Sequence, residues 1–165
     1  MSIVTLEDLY LEQLKDIHSA NRQALAVTKD MAKAATDHGL VAALSAGAEG
    51  IQQGMTTLEQ IANGHDEAAT GETCKGMQGL VEEARAHALE EIFGEDATKD
   101  AMIITQYQRL VHYGIAGYGC LVAFASRLDL GDDEVALQAC LDRTYDGDRT
   151  MTDIATGRVN EGAVV

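Results

Sequence analysis

Apolar residues recur at steps of three and four along nearly the whole chain, and no proline interrupts them. Such steps keep apolar side chains on one face of a helix, and an interior proline would break that helix. The chain is therefore committed to long amphipathic helices, an all-α fold. Strong helix formers (Ala, Leu, Glu and Gln) are common, and two Phe with no Trp argue against a β-sandwich. A length of 165 residues predicts one domain, 1–165, able to bury a core without disulfides or metals.

Thr5-Leu6-Glu7-Asp8 reads as a capped helix start, with Asp8 as an acidic capping-box partner. The stripe Leu6, Leu9, Tyr10, Leu14, Ile17, Ala24, Leu25, Thr28, Met31 and Ala35 follows, and the helix is expected to end near His38-Gly39. A second stripe runs from Leu40 through Leu44, Ala48, Ile51, Met55 and Leu58 to Ala62, with Asn63-Gly64 as its stop. The short link makes these two an antiparallel hairpin. Residues His65 to Thr73 read as a loop and Lys75 to Ile92 as a shorter helix. The third long helix is expected over Thr98 to Leu128. The fourth follows the Asp129-Leu130-Gly131-Asp132 turn and runs from about Asp133 to Asn160, with Val135, Leu137, Leu141, Tyr145, Met151 and Ala155 inward. Residues Glu161 to Val165 are expected to fray. Hairpin, long connection, hairpin is the layout of a ferritin-like four-helix bundle, here with a helix inside the connection between helices two and three.

A formal net charge of −15 disfavours nucleic acid and anionic membranes as partners and favours solubility. No segment is long and apolar enough to span a bilayer, and no secretory leader is evident, so a cytoplasmic location is expected. Cys74, Cys120 and Cys140 lack CxxC spacing. They read as small buried hydrophobes in a reducing compartment.

Four segments resemble the YciE/YciF family of ferritin-like bacterial stress proteins. They are Thr5 to Tyr10 with Leu14, Asp16, Ser19 and Ala20; Cys74 to Ala84; His112-Tyr113-Gly114-Ile115-Ala116-Gly117-Tyr118-Gly119; and, more weakly, Thr152 to Ala155. The resemblance implies a ferritin-like bundle, a homodimer, and a biochemical role that is poorly defined.

Ferritin-like carboxylate proteins hold two metals with a Glu on each of two helices and a Glu-x-x-His on the other two. No Glu-x-x-His occurs here: Lys15, Ala35, Ala62, Ala84 and Arg109 stand three residues before the five histidines. The resemblance sharpens the loss. It places Asn21 where the family tends to carry Glu, and Gln52 where it carries the His that follows Glu49. It puts Val111 and Gly114 at acidic positions of the third helix, and reduces the acidic cluster of the fourth to Asp142, while Asp148 still matches. Asn21 and Asp148 also fall on inward stripes. One expectation is therefore that Asn21, Glu49, Gln52 and Asp148 form a buried hydrogen-bonded network in place of metals. The other is that they lie at stripe edges in water.

Glu83 and His87, four apart, read as a surface ion pair rather than a chelate. His112 is expected to be partly buried beside Tyr113 as a packing residue. Tyr107, Tyr113 and Tyr118 read as core residues whose hydroxyls need partners. Gly47, Gly50 and Gly54, with Gly114, Gly117 and Gly119, suggest a tight helix contact, within the bundle or across a dimer. Two functional readings follow. The first is a metal-free, non-enzymatic structural or interaction protein without cofactors, and the missing motifs favour it. The second is a di-iron or di-manganese oxidoreductase or iron-handling protein with Glu49, Asp142, Asp148 and His112 as ligands.

Overall fold

Thr5 holds an extended backbone and its Oγ1 accepts the Asp8 N–H at 3.1 Å, while Asp8 Oδ2 accepts the N–H groups of Thr5 and Val4 at 2.9 and 3.0 Å. These backbone donors hold the exposed Asp8 carboxyl below its ordinary pKa. The capping box opens the first helix of the computed structural model, which describes residues 3–164. Helix α1 spans Leu6–Ala34, α2 His38–Gly64, α3 Lys75–Ala84, α4 Asp96–Arg127 and α5 Gly131–Ile154. Helix α3 continues in a π-helical turn over Arg85–Glu90. Helix α5 continues through another over Ala155–Val159 into a last turn, Asn160–Gly162. Among the described residues no helix is long and apolar enough to cross a membrane.

The first hairpin turns four residues earlier than His38-Gly39 suggested. Asp37 is the N-cap of α2, its Oδ1 accepting the Leu40 N–H at 2.9 Å, so His38 and Gly39 begin α2 instead of closing α1. An Asx side chain followed by an apolar stripe outweighs a nearby glycine as a boundary signal. Gly39 serves another purpose there. A methyl group at that position would overlap the guanidinium of Arg158, which pairs with Asp37 at 3.0 Å. From α4, the 2 % exposed Asp100 clamps this turn. Its carboxylate accepts the Thr36 N–H at 2.9 Å, the Thr36 hydroxyl at 2.7 Å and the Asp37 N–H at 2.8 Å.

These contacts set the topology. The start of α4 lies at the α1–α2 turn. The start of α5 lies at the opposite end, where Asp133 accepts from Tyr10 at 3.0 Å and pairs with His65 at 2.7 Å. The connection after α2 must therefore travel the length of the bundle. It carries α3 with it, packed on α1 and α4. Neighbouring long helices all run antiparallel: α1 beside α2 and α4, and α5 beside the same two. The cysteine that opens α3 is its N-cap, and Arg85 near its end reaches Asp30 of α1 at 3.1 Å.

Two apolar clusters fill the bundle. One, toward the Asp100 end, includes Val27, Met31, Leu40, Leu44, Ile103 and Met151. The other, toward the Asp133 end, includes Tyr10, Leu14, Leu58, Leu121 and Leu137. Two of the residues expected inward on the fourth helix are not. Val135 is 72 % exposed, and Tyr145 lies outside with its ring under Arg149 at 5.8 Å. The buried register of α5 is Leu137, Cys140, Leu141 and Met151. Cys120 is exposed, contrary to expectation, while Cys74 and Cys140 are buried.

Asp100→Ala leaves three donors of a buried turn without an acceptor. It is expected to lower unfolding free energy by roughly 3 kcal/mol. Urea denaturation reads this, and a loss under about 0.5 kcal/mol would mean that water replaces the carboxylate.

Candidate functional site

Where the two clusters meet, halfway along the bundle, the helices do not close against one another with large side chains. Helix α2 presents Gly47, Gly50 and Gly54 toward the centre. Tyrosines from α4 fill part of the space this leaves. A methyl group on Gly47 would overlap the Tyr107 hydroxyl, and one on Gly54 the Tyr118 hydroxyl. On α4 itself, Gly117 seats the Ile17 side chain of α1. The close contacts expected of these glycines are thus within the bundle, glycine against tyrosine or isoleucine; Gly119 meets nothing.

Between α2 and α5 the remaining space is a cavity of about 270 Å³. Its floor carries Asn21 of α1 and both tyrosines. Its walls are mostly small or aliphatic, including Ala24, Ile51, Leu110 and Gly147, and Arg143 of α5 stands among the lining residues. The Asn21 amide donates to the Tyr118 hydroxyl at 2.7 Å. Burial, then the Cys140 thiol beside it, pushes the Tyr118 phenol well above its ordinary pKa. Tyr107 is 3 % exposed, and its hydroxyl has no hydrogen-bond partner among the described residues. Its phenol is pushed up to about 12, chiefly by burial and then by the Asp148 charge.

The four residues expected to form a polar network do not meet. Asn21 is buried and bound to Tyr118. Glu49 and Gln52 are exposed and line a shallow depression on the outer side of α1 and α2 beside Lys29 and Lys33. Asp148 lies at the α4–α5 seam, where it accepts from Gln108 at 3.1 Å and pairs with His112 at 3.1 Å. The physical reason lies in α2. Ala48, Ile51 and Met55 pack with Leu25 of α1, so the apolar stripe marks the face toward α1. At mid-height the face toward the centre is glycine, which carries no hydrophobic signal.

The candidate ligand set is divided in the same way. His112 and Asp148 are paired. Asp142 is exposed and accepts from Gln138 at 2.7 Å, and Glu49 lies on the outer face. His112 itself is an exposed residue, its side chain 63 % accessible; the buried histidine is His18, held by Glu59 at 2.9 Å. Among the described residues no three His, Cys, Asp or Glu side chains converge as a metal site. A carboxylate-bound metal pair needs acidic residues at the bundle centre. The polar groups there are an amide, two phenols, a thiol and two threonine hydroxyls, with the Arg143 guanidinium and a single carboxylate, Asp146, which pairs with Arg149. These residues do not fit such a pair. Glu83 and His87 form the exposed ion pair expected of them, at 3.5 Å.

A second polar cluster docks α3. The Ser19 hydroxyl accepts the Cys74 N–H at 3.0 Å, and the Cys74 thiol lies 2.9 Å from the Tyr113 hydroxyl. That hydroxyl donates to Asp16 at 3.3 Å. Burial raises the Cys74 pKa, which leaves the thiol a poor nucleophile. Gly76 leaves room for the Tyr113 ring. This cluster joins the connecting helix to α1 and α4. It also gives a structural role to residues within the Cys74 to Ala84 and His112 to Gly119 segments.

A helical bundle with a crossover helix and a central cavity is the class of protein that this geometry defines. The family described as a domain of unknown function, DUF892, matches residues 5–164, and the chain belongs to it. It is 28 % identical to Protein YciF of Escherichia coli (strain K12) over 164 residues, covering 99 % of this chain and 98 % of that protein. The crystal structure of the E. coli stress protein YciF superposes with a TM-score of 0.88 at 28 % identity, covering 96 % of this chain and 99 % of that one. YcfI, "a putative structural protein" from Rhodopseudomonas palustris, superposes with a TM-score of 0.86 at 30 % identity, covering 92 % and 95 %.

Two outcomes test the site's packing. Gly47→Ala would ordinarily gain up to about 1 kcal/mol of helix propensity. Here it is expected to cost about 1–3 kcal/mol by overpacking against Tyr107. Adding Tyr107→Phe removes the overlapping oxygen and forfeits no hydrogen bond, so the double variant recovers at least half the loss. Simple additivity in a double-mutant cycle would show that the two residues do not touch. The second outcome concerns pH. Tyr107 titrates at about 12 when folded, against its ordinary 10.0. An acid whose folded pKa is raised stabilises the fold fully below pH 10 and loses that contribution between pH 10 and 12. Tyr107→Phe therefore flattens the alkaline fall in stability by about 1 kcal/mol per pH unit in that window. Urea midpoints from pH 9 to 12 measure the slope, and equal slopes in the two proteins would contradict it.

Proposed function

We propose that this protein is a non-enzymatic structural or interaction protein, stress-associated like its E. coli relative. In this reading it keeps a ferritin-like bundle without the di-metal centre and works as a homodimer. The observation that carries the reading is the bundle centre. An Asn21–Tyr118 hydrogen bond and a row of glycines occupy the level at which a metal pair would need carboxylates. Kinship with YciF, described as a stress protein, and with YcfI, described in structural terms, supports the same direction.

Elemental analysis after incubation with ferrous iron or manganese tests this, with subunit mass read by sedimentation on the same sample. The expected result is less than about a tenth of an equivalent of metal and no rise in melting temperature, since a ligand that binds only the folded state would raise it. Close to two metals per chain would overturn the reading and favour an oxidoreductase built around His112 and Asp148, the one His–carboxylate pair among the four candidate ligands. A monomer at micromolar concentration would remove the homodimer.

A further inference from the structure

The cavity between α2 and α5 has the features of a small-molecule site, and it lies apart from any metal chemistry. Its volume is about 270 Å³. An apolar cavity of ~150 Å³ accommodates benzene, so this one has room for a substituted six-membered ring. The Tyr107 and Tyr118 hydroxyls lie against Gly47 and Gly54 and the Arg143 side chain lies along Gly50, while Gly114 and Gly147 line the side toward α4 and α5. Met77 adds a thioether to the wall, a group that packs well against ring edges.

Two polar groups are uncommitted. The Tyr107 side chain is 97 % buried, and its hydroxyl faces this space without a hydrogen-bond partner among the described residues. A bound group carrying a donor or acceptor would give that hydroxyl a partner. Arg143 lies along Gly50, its Cδ 3.4 Å from where a methyl group there would sit. Arg143 is exposed overall, its charge reaches the Tyr118 phenol, and it has no carboxylate partner among the described residues. The acid nearest it in the lining, Asp146, is engaged by Arg149 at 2.7 Å. In a chain with net charge −15, an unpaired arginine at the mouth of an apolar cavity selects for an anion at that point.

We propose that the bundle-centre cavity binds a single-ring aromatic carboxylate. The ring lies in the apolar interior of the cavity, the carboxylate is held by Arg143, and a ring hydroxyl meets Tyr107. A guanidinium fixes the charged end through paired N–H donors, and the phenol distinguishes a hydroxylated ring from a plain one. Burial of the ring supplies the affinity. For about ten non-hydrogen atoms this places the Kd for 4-hydroxybenzoate between roughly 1 µM and 1 mM.

Titration calorimetry on the full chain tests this with 4-hydroxybenzoate, benzoate, 4-hydroxybenzamide and hexanoate. The expected order is 4-hydroxybenzoate tightest, then benzoate, with the neutral amide at least tenfold weaker. Arg143→Gln should remove the preference for the acid over the amide, and Tyr107→Phe the preference for the hydroxylated ring. Gly147→Leu is the occluding variant. Nothing lies within 4 Å of a methyl group at Gly147, and leucine suits a helix better than glycine, so the variant should fold at least as well while filling the cavity. No saturable binding by the unmodified protein would overturn the proposal, as would binding that survives Gly147→Leu unchanged. Hexanoate binding as tightly as benzoate would overturn the aromatic assignment, and equal binding of acid and amide would overturn the role of Arg143. None of these readouts depends on metal content, so they fail or succeed separately from the metal-free reading.

Discussion

Tyr118 crosses from α4 to lie against Gly54 of α2 while its hydroxyl accepts the amide of Asn21 from α1, so one side chain ties three of the four long helices at mid-height. Its geometry depends on the missing side chain at Gly54. Any larger residue there would push α2 outward, separate the hydroxyl from Asn21 and open the centre to water. The contact has a cost, because each interior glycine weakens its helix by roughly 1 kcal/mol relative to alanine. Buried phenol packing and a satisfied amide offset it. The same contact divides the core, with one apolar cluster on either side of the Asn21–Tyr118 level.

Because the centre is polar and lightly filled, the ends of the bundle carry much of its specification. At one end Asp100 gathers three donors from the α1–α2 turn, and at the other Asp133 joins Tyr10 and His65. Each acid links sequence-distant elements, and each link forms in one register only. They determine which way α4 and α5 run relative to the first hairpin. A bundle of four similar amphipathic helices would otherwise have several near-equal topologies, and buried polar links are a means of choosing between them. Here that role is an inference from geometry: three charge-assisted bonds at Asp100 cannot be rebuilt in an alternative packing.

The helices and their order were legible because apolar periodicity, caps and the absence of proline all pointed the same way. The Thr5–Asp8 capping box is visible in four consecutive letters. What was not legible has several causes. Asp37 could be read as a turn or a cap, and only its contacts with the backbone and Asp100 decide. The family resemblance matches Glu49 and Gln52 to a Glu-x-x-His and so points them to the centre, whereas both are exposed and the neighbouring Ala48, Ile51 and Met55 pack with Leu25 of α1. The central face is written in glycine, and a residue without a side chain leaves no trace in hydropathy. The signal was nevertheless present: Gly47 and Gly54 lie seven apart, two helical turns, which puts them on one face opposite a helix bearing Tyr107 and Tyr118. His112 was misplaced for the opposite reason. Its neighbours are apolar, but one step along a helix turns a side chain by about 100°, here enough to carry it out to Asp148 and water.

The charge at the centre is the last piece of the argument. A metal pair needs a concentration of negative charge in a low-dielectric interior, which is tolerable only because the cations neutralise it. Of the candidate ligand acids, Glu49 and Asp142 are in water and Asp148 is shared between Gln108 and His112, while Asp146, which lines the cavity, pairs with Arg149. The centre keeps neutral hydrogen-bonding groups and, at its edge, a positive one in Arg143. A centre of neutral groups, with a guanidinium and one paired carboxylate at its edge, lacks the concentrated negative charge that a metal pair neutralises.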